Sequence, residues 1–175
     1  FLEFCLLNKM LRIERLANGK IIVKPPAATS VGNQNARLTY EVGIWNKKSM
    51  LGEVFGSSAG FTLPNSAVRS PDVSWVSTKR WNTLEKTDRD KFAPICPDFV
   101  LELRSASDSL PDLRDKMEEY IANGCRLGWL VDPSKRQTMV YLPDGSVRVI
   151  PFEQVLEGGD VLPGFQLVMA EIIND

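Results

Sequence analysis

The run Cys96-Pro-Asp-Phe-Val-Leu-Glu-Leu-Arg104 decides how this chain is read. Phe99 to Leu103 is apolar almost without a break, the pattern of an interior strand covered on both faces. Glu102 interrupts it. A carboxylate buried without a partner either costs several kcal/mol as an ion or takes up a proton, so a cation is expected beside it. Strand alternation sets Arg104 on the same face as Glu102, which leaves two readings: a structural pair with Arg104 or a lysine, or a metal site.

The next segment is a helix with both ends marked. Ser109 is placed to cap it, Pro111 lies in the first turn, Asp112 faces the positive end of the dipole, and Asn123-Gly124 stops it. Leu110, Leu113, Met117, Tyr120 and Ile121 form its apolar stripe, and Lys116 falls about 40° beyond Tyr120 at the border of that stripe. From there a lysine either snorkels to solvent or reaches inward to a carboxylate on the preceding strand. In the other direction, Pro71-Asp-Val-Ser-Trp-Val76 reads as a strand headed by Asp72, with Val73 and Trp75 on the opposite face. Two carboxylates on neighbouring strands can share a hard divalent ion through oxygen.

Farther out, Asn18-Gly19 joins two short strands in a hairpin, and apolar Leu38, Val42 and Trp45 predict a helix from about Asn33 to Lys48. Short strands are expected near Val54-Phe55 and Phe61-Leu63. Gly56-Ser-Ser-Ala-Gly60 between them lacks the ending of a phosphate loop and reads as a hairpin turn. A polar helical or irregular stretch follows from Trp81 to Lys91. Strands at Leu127–Val131, Thr138–Tyr141 and Val147–Ile150 precede a tail, Leu162–Ile173, read as a strand or turn. The sum is one α+β domain of α/β-like character over residues 1–175, a mixed central sheet flanked by helices, with a helix and hairpin in 1–24, a core in 31–131 and further strands in 137–175.

Composition narrows the chemistry. The 175 residues are 43% hydrophobic and 25% charged with a formal charge of −1, the profile of an ordinary soluble domain. Histidine is absent, which excludes a Ser-His-Asp triad, a Cys-His dyad and a His-based zinc site, and leaves carboxylates, lysines, hydroxyls or a hard metal ion. Three cysteines without CxxC spacing predict neither a disulfide framework nor structural zinc, and favour a reducing cytoplasm. Phe1 to Lys9 has no basic start and carries Glu3, so an amphipathic helix packed on the body is expected rather than a signal peptide, and the missing initiator Met suggests an earlier true start. No stretch approaches the roughly 18 apolar residues of a membrane span. Residues 1–87 carry a net +6 and residues 88–175 a net −7, so a basic front half could face phosphates.

Pro71-Asp72, Glu102-Leu103-Arg104 and a lysine on the following helix resemble the PD-(D/E)XK nuclease superfamily. With Leu63-Pro-Asn, Arg69-Ser-Pro-Asp-Val-Ser-Trp-Val, Lys116-Met-Glu-Glu-Tyr, Asn123-Gly and Gly128-Trp-Leu-Val-Asp-Pro133, the chain strongly resembles the Uma-two family of restriction endonucleases over nearly its whole length. The resemblance implies a restriction-endonuclease-like fold and hydrolysis of DNA phosphodiesters with Mg2+ or Mn2+. It makes Asp72 and Glu102 the metal ligands, with the Leu103 carbonyl completing the shell. Arg104 stands where the superfamily has lysine and stays protonated, so Lys116 is read as the displaced lysine acting on the attacking water, and Arg104 as a grip on the scissile phosphate. Asp98 and Glu41 are lesser candidates. Family analogy also implies a homodimer. Two alternatives remain open: a nucleic-acid-binding domain without turnover, and a dimerising scaffold in which Glu102 and Lys116 form only an ion pair.

Overall fold

In the computed structural model, which describes residues 1–173, the chain opens with helix α1 (Leu2–Leu7) and the hairpin β1 (Arg12–Arg15) and β2 (Ile21–Lys24). The long α2 (Thr29–Ser49) leads into β3 (Gly52–Gly56), β4 (Phe61–Thr62), β5 (Val68–Arg69) and β6 (Val73–Ser77). Short helices α3 (Thr78–Trp81) and α4 (Lys86–Arg89) precede β7 (Phe99–Leu103), α5 (Leu110–Ala122) and β8 (Leu127–Asp132). The chain continues through β9 (Gln137–Tyr141), β10 (Val147–Pro151), β11 (Val155–Glu157), β12 (Gln166–Val168) and α6 (Met169–Ile172).

The central sheet has the order β10-β9-β8-β7-β6-β3 and is mixed: β7 and β8 are parallel, every other pair antiparallel. Parallel neighbours need a crossover, and α5 supplies it. Its ends are formed as the residue types require: Ser109 Oγ accepts from the Asp112 N–H at 3.4 Å, and Gly124 takes a φ of +100°. On β7, Phe99, Leu101 and Leu103 pack in one core with Leu38 and Val42 of α2, while Val100 packs in a second core with Met117 and Tyr120 of α5. Alternation therefore turns Glu102 toward α5.

A smaller sheet of order β2-β1-β5-β4 joins the N-terminal hairpin to the body, with Arg15 opposite Val68. This changes the reading of Gly56–Gly60. It is not a hairpin turn: β3 pairs with β6 in the central sheet and β4 with β5 in the smaller one, so the segment carries the chain between sheets. The missing partner, β5, has only two residues, too few to show a period. The tail, read as a strand or turn, holds strand β12, which pairs with the preceding β11, and then the helical turn α6. α1 forms but, contrary to expectation, buries none of its residues. Leu7 is 79% exposed, and the segment touches the body through Phe1, whose ring lies 5.8 Å from that of Phe92 and 5.0 Å from the Arg15 guanidinium. All three cysteines are free. Among the described residues no helix is long and apolar enough to cross a membrane.

Candidate active site

β6 and β7 pair from Val73 opposite Leu101 to Trp75 opposite Phe99, and Asp72 immediately precedes β6 at the end of the pair where Glu102 lies. Asp72 and Glu102 line one cleft of about 810 Å³ between the hairpin and the central sheet, together with Arg12, Glu14, Lys24 and Leu103. Asp72 Oδ2 accepts from the Leu103 N–H at 2.9 Å, which ties the carboxylate to the strand carrying Glu102. Its Oδ1 accepts from Asn35 Nδ2 at 3.1 Å and lies 3.5 Å from the Arg12 guanidinium. The interaction that the structure shows for Leu103 is through its N–H rather than its carbonyl.

Lys116 reaches inward. Its Nζ lies 2.7 Å from Glu102 Oε1 and 2.8 Å from Glu14 Oε1, and the residue is 5% exposed. The Tyr120 hydroxyl, one helical turn on, donates to the same Glu102 oxygen at 3.0 Å. Glu14 is held in turn by Arg69 at 3.1 Å and by the Ser70 N–H at 3.2 Å, and Arg69 also pairs with Glu119. The result is a buried chain of alternating charge running from the hairpin through α5 to β7.

The three central groups titrate differently. Burial pushes the Glu102 carboxyl up to about 7; Lys116 opposes this, while the nearby Asp72 and Glu14 charges add to it. For Glu14, Lys116 and Arg69 outweigh burial and hold the carboxyl down at about 2. Burial works against the Lys116 ammonium, but Glu102 and Glu14 keep its pKa above the ordinary lysine value. Around neutral pH, Lys116 is thus a fixed cation, Glu14 a fixed anion, and Glu102 the group whose charge changes.

Arg104, expected on the face of Glu102, is not among the residues lining the cleft. β7 ends at Leu103, so alternation no longer governs Arg104. Its guanidinium bonds both oxygens of fully buried Asp132 at 3.1 and 3.0 Å and Ser134 Oγ at 3.0 Å. Among the described residues Arg104 is the one cation paired with Asp132 at the end of β8, and it compensates that buried charge. Asp98 starts β7 at the far end from Glu102, accepting from the Ser77 N–H at 2.8 Å and pairing with Arg80 at 3.0 Å. Glu41 of α2 does not line the cleft either.

Two neighbours of the site went unread in the sequence. Asn35 left a signal: it precedes Leu38 and Val42 by three and seven residues, so it continues their buried stripe back along α2. Glu14 left none, because in Arg12-Ile-Glu-Arg15 it looks like any solvent-facing strand residue, and its partner Lys116 lies 102 positions away.

The donor set suits a hard divalent ion. The hydrogen bond and ion pair of Glu102 both fall on Oε1, and Asp72, whose oxygens accept from Asn35 and the Leu103 N–H, is a second carboxylate lining the same cleft. Among the described residues no group of three or more acidic or cysteine side chains is gathered for a metal. Two carboxylates with water and substrate oxygens are nevertheless the usual way in which Mg2+ is held.

Comparisons with known proteins agree with this architecture. A family model described as "Uma2: Putative restriction endonuclease" matches residues 1–170. A crystal structure from Anabaena variabilis, described as "a putative nuclease belonging to DUF820", superposes with a TM-score of 0.78 at 19% identity, covering 91% of this chain and 88% of that one. At that identity the likeness shows a shared fold. No curated protein matches the chain.

Proposed function

The chain belongs to the Uma2 restriction endonuclease family, and from that membership we propose that it is a metal-dependent nuclease that hydrolyses phosphodiester bonds of DNA. Asp72 and Glu102 are the proposed ligands of one Mg2+ or Mn2+ ion, with the Leu103 carbonyl as a third oxygen. When bound, such an ion polarises the phosphate and lowers the pKa of bound water, supplying a nucleophile in a chain that has no histidine to act as a base near neutral pH.

The protein groups divide the rest of the work. Lys116 stays protonated between two carboxylates, so its role is to orient the attacking water and stabilise charge developing on the phosphate rather than to accept a proton. Glu14 is a positioning residue that keeps the ammonium at the site. Arg12 and Lys24, on the hairpin side of the cleft, are the proposed phosphate contacts. Arg104 has no role in this proposal beyond holding the ends of β7 and β8 together.

The observation that supports the reading is that Asp72 and Glu102 line one cleft, with Asp72 bonded to the Leu103 N–H next to Glu102 and Lys116 locked behind Glu102 just outside the cleft lining. The test is to incubate wild type, Asp72→Asn and Glu102→Gln with supercoiled plasmid and with single-stranded DNA in Mg2+ or Mn2+. Cutting by wild type alone is expected; cutting that survives in both variants removes the two carboxylates from the chemistry.

A further inference from the structure

The cleft adjoins a second hollow of about 290 Å³, whose lining includes Phe55, Gly60, Trp81, Arg89, Lys91 and Phe92. The two share Ser58 and Phe92, so the segment crossing between the sheets is the rim that divides them. Phe92 has its place because residue 60 is glycine: a Cβ there would come within 2.5 Å of the Phe92 ring. Trp81 packs 5.0 Å from Phe55, and the Arg89 guanidinium lies 5.3 Å above the Trp81 ring. Phe55, Trp81 and Phe92 remain partly exposed even with Phe61 edge-on to Phe55 and Phe1 packed at 5.8 Å from Phe92, whereas Trp75 and Trp129 are buried in the core. Lys91 is exposed beside them, with Asp90 as the one acid in the lining.

Partly exposed aromatic faces with cations at their rim are the means by which proteins hold unpaired nucleic acid: bases stack on the rings and phosphates meet the cations. The floor of the cleft sets a matching demand. Glu102 is 3% exposed and Asp72 9%, so a phosphodiester must be brought down to them, and a strand freed from its complement bends more readily than a stacked duplex. We infer that the Phe55–Trp81–Phe92 hollow is a base-binding subsite, and that the substrate is an unpaired DNA strand running from the cleft across the Ser58 rim into it. This rests on the nuclease reading for the chemistry, but the subsite is defined by its own residues.

The test separates the two. Without metal, a short oligo-dT strand is titrated into the protein while tryptophan emission and the polarisation of a label on the strand are followed. The strand is expected to quench emission, and a duplex of the same length to bind without that quench. Trp81→Phe should abolish the quench. Phe92→Ala should weaken strand binding roughly 5- to 100-fold, the range that loss of one stacked base gives. Gly60→Ala, which displaces the Phe92 ring by other means, should act in the same direction, with thermal midpoints showing that each variant is folded. The same strands are then incubated with Mn2+. Quench with cutting supports both proposals, and quench without cutting keeps the subsite and removes the nuclease. Cutting with no quench, or variants that bind as wild type, overturns the subsite alone; neither quench nor cutting overturns both.

Discussion

Replacing Glu102 by glutamine is expected to make the protein more stable at alkaline pH, even though it removes a proposed metal ligand. Lys116 at 2.7 Å and Tyr120 at 3.0 Å both bond to Oε1, which the glutamine carbonyl reproduces, while the amide nitrogen takes the place of Oε2. The substitution therefore removes a buried charge and keeps its hydrogen bonds. Burial raises the Glu102 carboxyl from 4.5 to about 7. At about 1.4 kcal/mol per pH unit that interval corresponds to about 3 kcal/mol. The sign follows from where the proton is held. The folded state keeps it to higher pH than the unfolded chain, so this stability is fully present below 4.5 and is lost as pH rises through about 7. Glutamine has no proton to lose. Urea unfolding followed by circular dichroism, in the absence of metal, should find the two proteins nearly equal at about pH 5 and the variant more stable by about 3 kcal/mol near pH 8.5. A difference that stays constant over this range, or a wild type that is the more stable at pH 8.5, would refute the reasoning. A gain in stability on removing a functional group is the usual sign of an active site that carries a cost for the fold.

The other members of the charge chain have their own signatures. Lys116→Met leaves Glu102 buried without a cation and Glu14 with Arg69 alone, which should cost about 3–5 kcal/mol in urea unfolding near pH 8 and less near pH 5, where Glu102 holds a proton; DNA cutting should be lost at both. Glu14→Gln is expected to destabilise by about 3 kcal/mol at neutral pH, since its carboxyl is held from 4.5 down to about 2. That contribution is present above 4.5 and vanishes as pH falls through about 2, so thermal midpoints of variant and wild type should converge in acid. Arg104→Ala should lower the thermal midpoint by leaving buried Asp132 without its cation, with the Ser134 hydroxyl as its remaining side-chain donor, while cutting per folded molecule stays at the wild-type level; lost cutting with an unmoved midpoint would return Arg104 to the site.

What could be read in the sequence had local causes. β7 and α5 are marked by a continuous apolar run and by Ser109, Pro111 and Gly124, each acting within a few residues of itself. Their spacing also brought Lys116 to the edge of the buried face. Whether it turned outward or inward depended on Glu14, which reaches it only through the hairpin that β5 pairs onto the body. Arg104 was misplaced because alternation was carried one residue past the end of its strand, where the buried Asp132 decided the matter. The segment Gly56–Gly60 was misread for a related reason: two-residue strands show no period, so the sheet to which β4 belongs is set by tertiary pairing alone.

The proposed chemistry requires Asp72 and Glu102 to share one divalent ion. Anomalous diffraction from crystals of the protein soaked in Mn2+ tests this directly. A single peak touching Asp72 and Glu102 in wild type, and missing from Asp72→Asn crystals soaked in the same way, is the expected result. A cleft without a peak at saturating Mn2+, or a peak that persists without the Asp72 carboxylate, would contradict it.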